Sequence, residues 1–408
     1  MSTPHDDSGP IGVVLAGGGA RGAYEAGALS VLLPALEARG QRPTVFIGTS
    51  AGALNAVLFA NHAHRPAQEA ADAALAVWRK VGRAQVIKPL LSSGLSAGLR
   101  YLGGLLRLPV SLSSVLDASP LHDTINASLD WAQLHRNAQD PTILAAVAVV
   151  ATASTHGRST VFVEGQATSA LHGCDAERAM DYVSTPLTTA HVMASAAIPV
   201  LFPPIHVDTP ASHAGWYMDG GVRLNVPIKP AVALGISRAI IVATDPLTHS
   251  SPPPGDTAPK PDIYSAIAEI IHAALVDRMV EDVRTLGKVN ELLLSHGEGC
   301  TPRRHDSTAR RHRLIPYLFV GPSLPGQLAK TAHVAIQRRY GRGRWLLHGV
   351  DYPLLHQLIG GVDKARNELL SYLFFEHSFI EAAIDMGQRD AQRMLERSNN
   401  GIPWKMTA

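Results

Sequence analysis

Gly48-Thr49-Ser50-Ala51-Gly52 stands directly after the apolar run Thr44-Val45-Phe46-Ile47 and directly before the apolar segment Ala53–Ala60. A strand that feeds a helix through so short a turn leaves the central serine on a sharp bend, its hydroxyl exposed at the end of a sheet. Gly48 and Gly52 have a steric reason, because no side chain fits where strand and helix approach that closely. The start of the following helix also offers unpaired N–H groups to a developing negative charge.

A second strand-to-helix turn lies upstream. Residues Ile11–Ala16 read as a buried strand, followed by Gly17-Gly18-Gly19-Ala20-Arg21-Gly22 and an amphipathic helix over 23–38. Glycine-rich turns of this kind expose backbone amides that hold anions. Gly17, Gly19 and Gly22 also satisfy the dinucleotide spacing Gly-x-Gly-x-x-Gly, which calls for an acidic residue about 20 positions on, at the end of the second strand. The nearest acid, Glu37, falls inside the predicted helix, and the second strand ends in the serine turn instead. An oxyanion hole suits the loop better, with its amides aimed at the tetrahedral oxygen formed when Ser50 attacks an ester carbonyl.

A serine hydroxyl is a poor nucleophile until a base takes its proton. Trp216-Tyr217-Met218 reads as a short strand, and Asp219-Gly220-Gly221 follows as a turn, then Val222-Arg223-Leu224-Asn225-Val226-Pro227. Taken alone, Asp219 is better explained as a turn former bonding its own backbone.

Taken together, the glycine loop, the Gly-x-Ser-x-Gly turn about 30 residues later and the distant Asp-Gly-Gly resemble the patatin-like phospholipase family. Agreement extends to the small-residue segment Ala194-Ser195-Ala196-Ala197-Ile198-Pro199, to Asn225 and Pro227, and to the core run Ile240-Ile241-Val242; it covers roughly residues 11–245. The resemblance implies a parallel-rich α/β sheet flanked by helices, and lipid acyl hydrolysis by a Ser–Asp dyad without metal or cofactor. Ser50 is then the nucleophile and Asp219 its base. Gly17, Gly18 and Gly19 form the oxyanion hole, with Arg21, Gly22, Gly48, Gly52, Gly220 and Gly221 as supporting motif positions.

Composition agrees with such a fold. The chain has 408 residues, 46% of them hydrophobic and 17% charged, with a formal net charge of +2. That is an ordinary folded protein with a large core, and its charge is too small to argue for nucleic acid. Cys174 and Cys300 are the only cysteines, which excludes a disulfide framework and leaves no zinc-ligand spacing. The N-terminal ten residues lack the positive start and apolar middle of a signal peptide. No apolar run reaches the roughly 18–20 residues that a membrane span needs. A cytoplasmic protein touching membranes from the side is the expectation.

Strands are expected at 11–16, 44–47, 143–152, 160–163, 215–218 and 239–244, alternating with helices as in a parallel sheet covered on both faces. The organisation that follows is a polar tail over 1–10, an acyl hydrolase domain over 11–247, a Pro-rich linker over 248–262 and a mainly helical C-terminal extension over 263–408. Within the first domain, 86–117 mixes leucines with Gly94, Gly98, Gly103 and Gly104. It is either a cap lining an acyl-chain groove or a plain insertion. In the extension, Gly360, Gly361 and Gly387 are expected to break the helices.

Residues 301–350 carry ten Lys or Arg against the single acid Asp306, with Tyr340 and Trp345 interleaved. Such a face suits an anionic bilayer, each cation adding about 1 kcal/mol near the surface; equally, it is a solvated loop beside an unrelated arginine cluster. His249, His272 and His296 follow Asp219, so chain order alone permits a Ser–Asp–His triad, though none sits in an informative loop. Arg21 either holds a substrate phosphate or braces the glycine loop. Related esterases, a lysophospholipase, neutral lipase or thioesterase, would share every site residue. A non-catalytic lipid-binding protein would need none of them.

Overall fold

The computed structural model describes residues 9–88, 116–167, 171, 173–175, 179–247, 263–296, 313–340, 363–397 and 401–407. The tail over 1–8, most of the insertion (89–115), the Pro-rich segment 248–262 and most of the basic region (297–312 and 341–362) lie outside them.

The sheet contains β1 (Ile11–Leu15), β2 (Pro43–Thr49), β3 (Ala146–Ala153), β4 (Ser159–Glu164), β5 (Cys174–Asp175), β6 (Met180–Ser184), β7 (Ile205–Val207), β8 (Gly215–Asp219), β9 (Arg238–Val242) and β10 (Tyr317–Val320). Its main order is β10-β9-β1-β2-β3-β4-β6-β5, with β8 also on β3 and β7 beyond it. The five strands from β10 to β3 run parallel to their neighbours. They are short apolar runs because both faces are covered. Ile11, Val13 and Leu15 pack into one core while Val14 and Ala16 pack into the other, as the two-residue period of a strand requires.

The sheet is mixed, mostly parallel: β4 and β8 both run antiparallel to β3. For β4 the cause is local, since a loop of only five residues joins Ala153 to Ser159, too short for a parallel crossover. The strands β6, β7 and β10 escaped the sequence pattern. Each is short, and β7 carries an exposed histidine at its centre, so none shows a clear alternation.

Helices flank the sheet: α1 (Gly22–Glu37), α2 (Ala51–Asn61), α3 (Ala67–Lys80), α4 (Ser119–Ser128), α5 (Trp131–Gln139), α6 (Thr189–Ser195), α7 (Ile228–Ala233), α8 (Ile263–His296), α9 (Gln327–Tyr340), α10 (Asp363–Leu373) and α11 (His377–Glu396). Residues of α1, α2, α3, α10 and α11 share the core of Val13 and Leu15. Those of α7 and α8 share the core of Val14.

Gly387 does not break its helix; α11 runs through it unbroken. A Cβ at Gly387 would lie 2.0 Å from the Tyr24 carbonyl oxygen, and one at Gly27 would lie 2.2 Å from that of Ile384. The two glycines let α1 and α11 touch backbone to backbone. The Tyr24 hydroxyl, beside this contact, donates to Asp390 Oδ2 at 2.9 Å.

Adding one methyl there forces two backbones apart in a packed core. Gly387→Ala is therefore expected to cost about 2 kcal/mol or more, read from urea unfolding midpoints. A shift under about 0.5 kcal/mol, as at ordinary surface sites, would show that the close approach is dispensable.

Candidate active site

Ser50 occupies the single residue between β2 and α2 with φ 55° and ψ −123°, a conformation that strains any residue other than glycine. The glycines around it leave no alternative. A Cβ on Gly48 would sit 2.1 Å from the Gly52 carbonyl oxygen, and one on Gly52 would sit 2.5 Å from that of Ala16. The Ser50 N–H donates to Ser195 Oγ at 2.8 Å, and that hydroxyl donates onward to the Val150 carbonyl at 2.6 Å. Ser195 thus fastens the bend to the neighbouring strand β3. Thr49 Oγ1 adds a bond to the Leu224 carbonyl at 2.9 Å.

Behind the bend, Asn55 Nδ2 donates at 2.9 Å to both the Gly22 carbonyl and Glu25 Oε2, while Trp78 Nε1 donates to Asn55 Oδ1 at 2.7 Å. These bonds tie α1, α2 and α3 together beneath the serine. Burial pushes the Glu25 carboxyl well above its ordinary pKa, against the opposing bonds from Asn55 and the Ala16 backbone.

Asp219 ends β8 and is 2% exposed. Its N–H donates to the Ala197 carbonyl at 2.9 Å, and its carbonyl accepts from Thr152 Oγ1 at 3.1 Å. Oδ1 accepts from the Gly221 N–H at 2.7 Å, the Asx turn expected of an Asp-Gly-Gly sequence. Gly220 makes that turn possible, since a Cβ there would lie 2.3 Å from the Val150 oxygen. Burial pushes the Asp219 carboxyl up to about 7, opposed by hydrogen bonding from the Ser50 hydroxyl and the Gly221 N–H. Serine and carboxylate are thus neighbours, but their contact falls short of full hydrogen-bond geometry, and Oδ2 remains buried without a partner among the described residues. Among the described residues no histidine bonds Asp219.

The glycine loop lies at the same end of the sheet. Gly17 donates its N–H to Asn225, at 3.1 Å to the backbone oxygen and 3.0 Å to Oδ1. That amide is therefore spoken for, contrary to its expected place in the oxyanion hole; the N–H groups of Gly18 and Gly19 have no acceptor among the described residues. Gly19 has φ +55°, and a Cβ on it would meet the Tyr372 carbonyl oxygen at 2.2 Å.

Arg21 is 1% exposed and does brace the loop, by tying it to distant elements. Its guanidinium donates to Ser371 Oγ (2.8 Å from Nε), to the Glu368 carbonyl (3.2 Å) and carboxylate, and to Asp245 (3.4 Å). The ring of Tyr372 lies 4.1 Å from it. Burial works to lower the guanidinium's pKa, but Tyr372, Glu368 and Asp245 outweigh it and raise it. With every side of the cation engaged, a substrate phosphate has no place on it. Glu37, the acid of the dinucleotide alternative, closes α1 and accepts from the Ala67 N–H at 2.8 Å.

Sequence reasoning missed Ser195 as a brace, and Asp245, Glu368 and Ser371 as partners of Arg21. Asp245 alone left a signal, as a carboxylate placed directly after an apolar strand. The insertion's ends are joined by the Lys88 N–H to Asp117 carbonyl bond at 3.0 Å, and Leu116 bonds the Leu201 carbonyl at 2.9 Å. Its base thus sits on the segment that leads from Ala197, which holds Asp219.

The family model for patatin-like phospholipase matches residues 13–232, just over half of the chain. The protein belongs to that family, and membership implies lipid acyl hydrolase activity. No curated protein matches the chain. Among solved structures, the crystal structure of VipD from Legionella pneumophila aligns over 95% of this chain and 75% of its own, at 14% identity and a TM-score of 0.29. That superposition is too distant to bear on the site. No helix among the described residues is long and apolar enough to cross a membrane.

The raised carboxyl of Asp219 has a consequence for stability. Its folded pKa of about 7 exceeds an unfolded value of about 3.9. Its stabilising contribution is thus complete below pH 4 and is lost as pH rises through 7. Asp219→Asn removes the buried charge, so the variant should gain on wild type across that window, by an amount on the order of 4 kcal/mol. Thermal unfolding of both proteins at pH 4 to 8 checks this, and a constant difference in Tm across the range would refute it.

Proposed function

We propose that the protein is a serine acyl hydrolase that cleaves fatty-acyl esters of phospholipids or related lipids through Ser50 and Asp219. The observation that carries this reading is a strained serine beside a buried carboxylate whose pKa is pushed up to about 7. An aspartate of ordinary pKa is a feeble base at neutral pH, whereas one near 7 holds and releases a proton readily.

In the proposed reaction Ser50 Oγ attacks the ester carbonyl carbon while its proton passes to Asp219. The carbonyl oxygen becomes an oxyanion, held by the Gly18 and Gly19 N–H groups. As the tetrahedral intermediate collapses, the bond to the alcohol oxygen breaks and Asp219 returns the proton to that leaving group. Water then attacks the acyl-enzyme, Asp219 takes its proton and passes it to Ser50, and the fatty acid departs. No step needs a metal or cofactor. Val222, in the turn after Asp219, and Val200, which is 61% exposed and three residues beyond the Ala197 carbonyl that holds the Asp219 N–H, give apolar surface that an acyl chain would use. The base of the 86–117 insertion lies next to Val200 through the Leu116 N–H bond to the Leu201 carbonyl at 2.9 Å, which suits a cap.

Peripheral membrane contact from the cytoplasmic side belongs to the same proposal. Lys330, Arg338 and Arg339 of α9 border a cavity of about 580 Å³ whose walls include Val334, Ala335, Ala382 and Met386. Apolar walls under a cationic rim suit anionic lipid. Flotation with anionic against neutral vesicles tests this; Lys330→Glu/Arg338→Glu should abolish any preference for the anionic ones.

Ser50→Ala should lower p-nitrophenyl ester hydrolysis at least 10³-fold and abolish fluorophosphonate labelling. Asp219→Asn should lower kcat comparably. In wild type, kcat/KM should rise with pH along a limb centred near 7, since the base acts deprotonated. A flat profile between pH 5 and 9 would remove Asp219 as the base, and labelling that survives Ser50→Ala would move the nucleophile elsewhere.

A further inference from the structure

The proposed chemistry takes every group from residues 18–219, yet the C-terminal region reaches the same place. The end of α10 rests on the glycine loop. Its Tyr372 carbonyl oxygen stands where a Cβ of Gly19 would be, 2.2 Å away. The tyrosine ring lies 4.1 Å from the guanidinium carbon of Arg21, which Glu368 and Ser371 of the same helix hold. Backbone contact below and cation above fix the ring in one position.

Tyr372 is 3% exposed, and its hydroxyl has no hydrogen-bond partner among the described residues. Buried polar groups are nearly always paired, and an unpaired one calls for a cause such as a catalytic role. Asp219 Oδ2 is in the same condition. Burial above all, then Asp245, Glu368 and Asp219, push the phenol's pKa up against the opposing pull of Arg21. The phenol therefore stays protonated and serves as a donor rather than a base. The Arg21 cation over its ring draws electron density inward.

We propose that Tyr372 is a further catalytic residue, whose hydroxyl donates a hydrogen bond to the oxyanion formed on attack by Ser50. The inference rests on the serine hydrolase reading and extends it beyond the residues that the family model matches. A neutral donor aimed at developing charge strengthens as that charge forms. No proton is transferred; the bond simply tightens in the transition state.

Tyr372→Phe deletes the hydroxyl and keeps the ring under Arg21. Its kcat on p-nitrophenyl esters should fall about 10²-fold with KM little changed, and the rate of fluorophosphonate reaction at Ser50 should fall with it. Tm should hold or rise, because an unpaired buried group has gone. Wild-type rates in Tyr372→Phe, with Ser50→Ala inactive, would overturn the role of Tyr372 and leave the Ser50 reading standing. A fall in kcat accompanied by a lower Tm would mark a structural residue and equally overturn it. Activity unchanged in Ser50→Ala would instead overturn the hydrolase reading, and this inference with it.

Discussion

At the carboxyl ends of β1, β2 and β3 the backbone approaches itself more closely than any side chain allows. Gly48 stands against Gly52, Gly52 against Ala16, and Gly220 against Val150, each leaving under 2.6 Å for a Cβ. These are backbone contacts, so no side-chain rearrangement relieves them. Because β2 must turn into α2 over one residue there, Ser50 is driven to φ 55°. Because β8 must turn just as tightly after leaving β3, Asp219 is carried into the space beside it. The strained serine and the buried carboxyl beside it are consequences of one steric constraint.

That arrangement stores cost in two places: a left-handed serine, and a buried carboxyl one of whose oxygens has no partner among the described residues. Each opposes folding by roughly 1–3 kcal/mol or more. What offsets them is rigidity nearby. Ser195 bridges the serine turn to β3, Asn225 pins Gly17, and Asn55 joins three helices beneath the bend. Each of these polar groups is buried and paired within the protein, so each fixes a position without adding an unsatisfied atom.

The strand–turn–helix units around Gly17 and Ser50 were legible because glycine spacing and apolar runs are local features. So was the Asp-Gly-Gly turn. The family's order of motifs joined the three, which no spacing rule would do across the 168 residues between Ser50 and Asp219. The short strands β6, β7 and β10 were not legible, since three to five residues carry too little periodicity. Gly387 was misread as a helix break for a physical reason. Glycine weakens a helix and also admits another backbone, and only the partner's position at Tyr24 distinguishes the two. The commitment of the Gly17 amide to Asn225 is likewise a matter of three-dimensional placement.

Arg21 was ambiguous for the same reason, and its partners change how the C-terminal region is understood. A guanidinium that is 1% exposed must have its charge balanced, and the loop that carries it supplies no acid. The balance comes from Asp245, three residues beyond β9, and from Glu368, on α10. Both lie outside residues 13–232, the span that the family model matches. Removing a partner from a buried ion pair typically costs about 3–5 kcal/mol, and here the cost would fall on the loop that carries Gly18 and Gly19. The same region lends β10 to the sheet through β9 and presses α11 against α1 through Gly27 and Gly387. The glycine loop is therefore held from the far end of the chain, and the helical C-terminal region is a condition of the site's geometry rather than an addition to it.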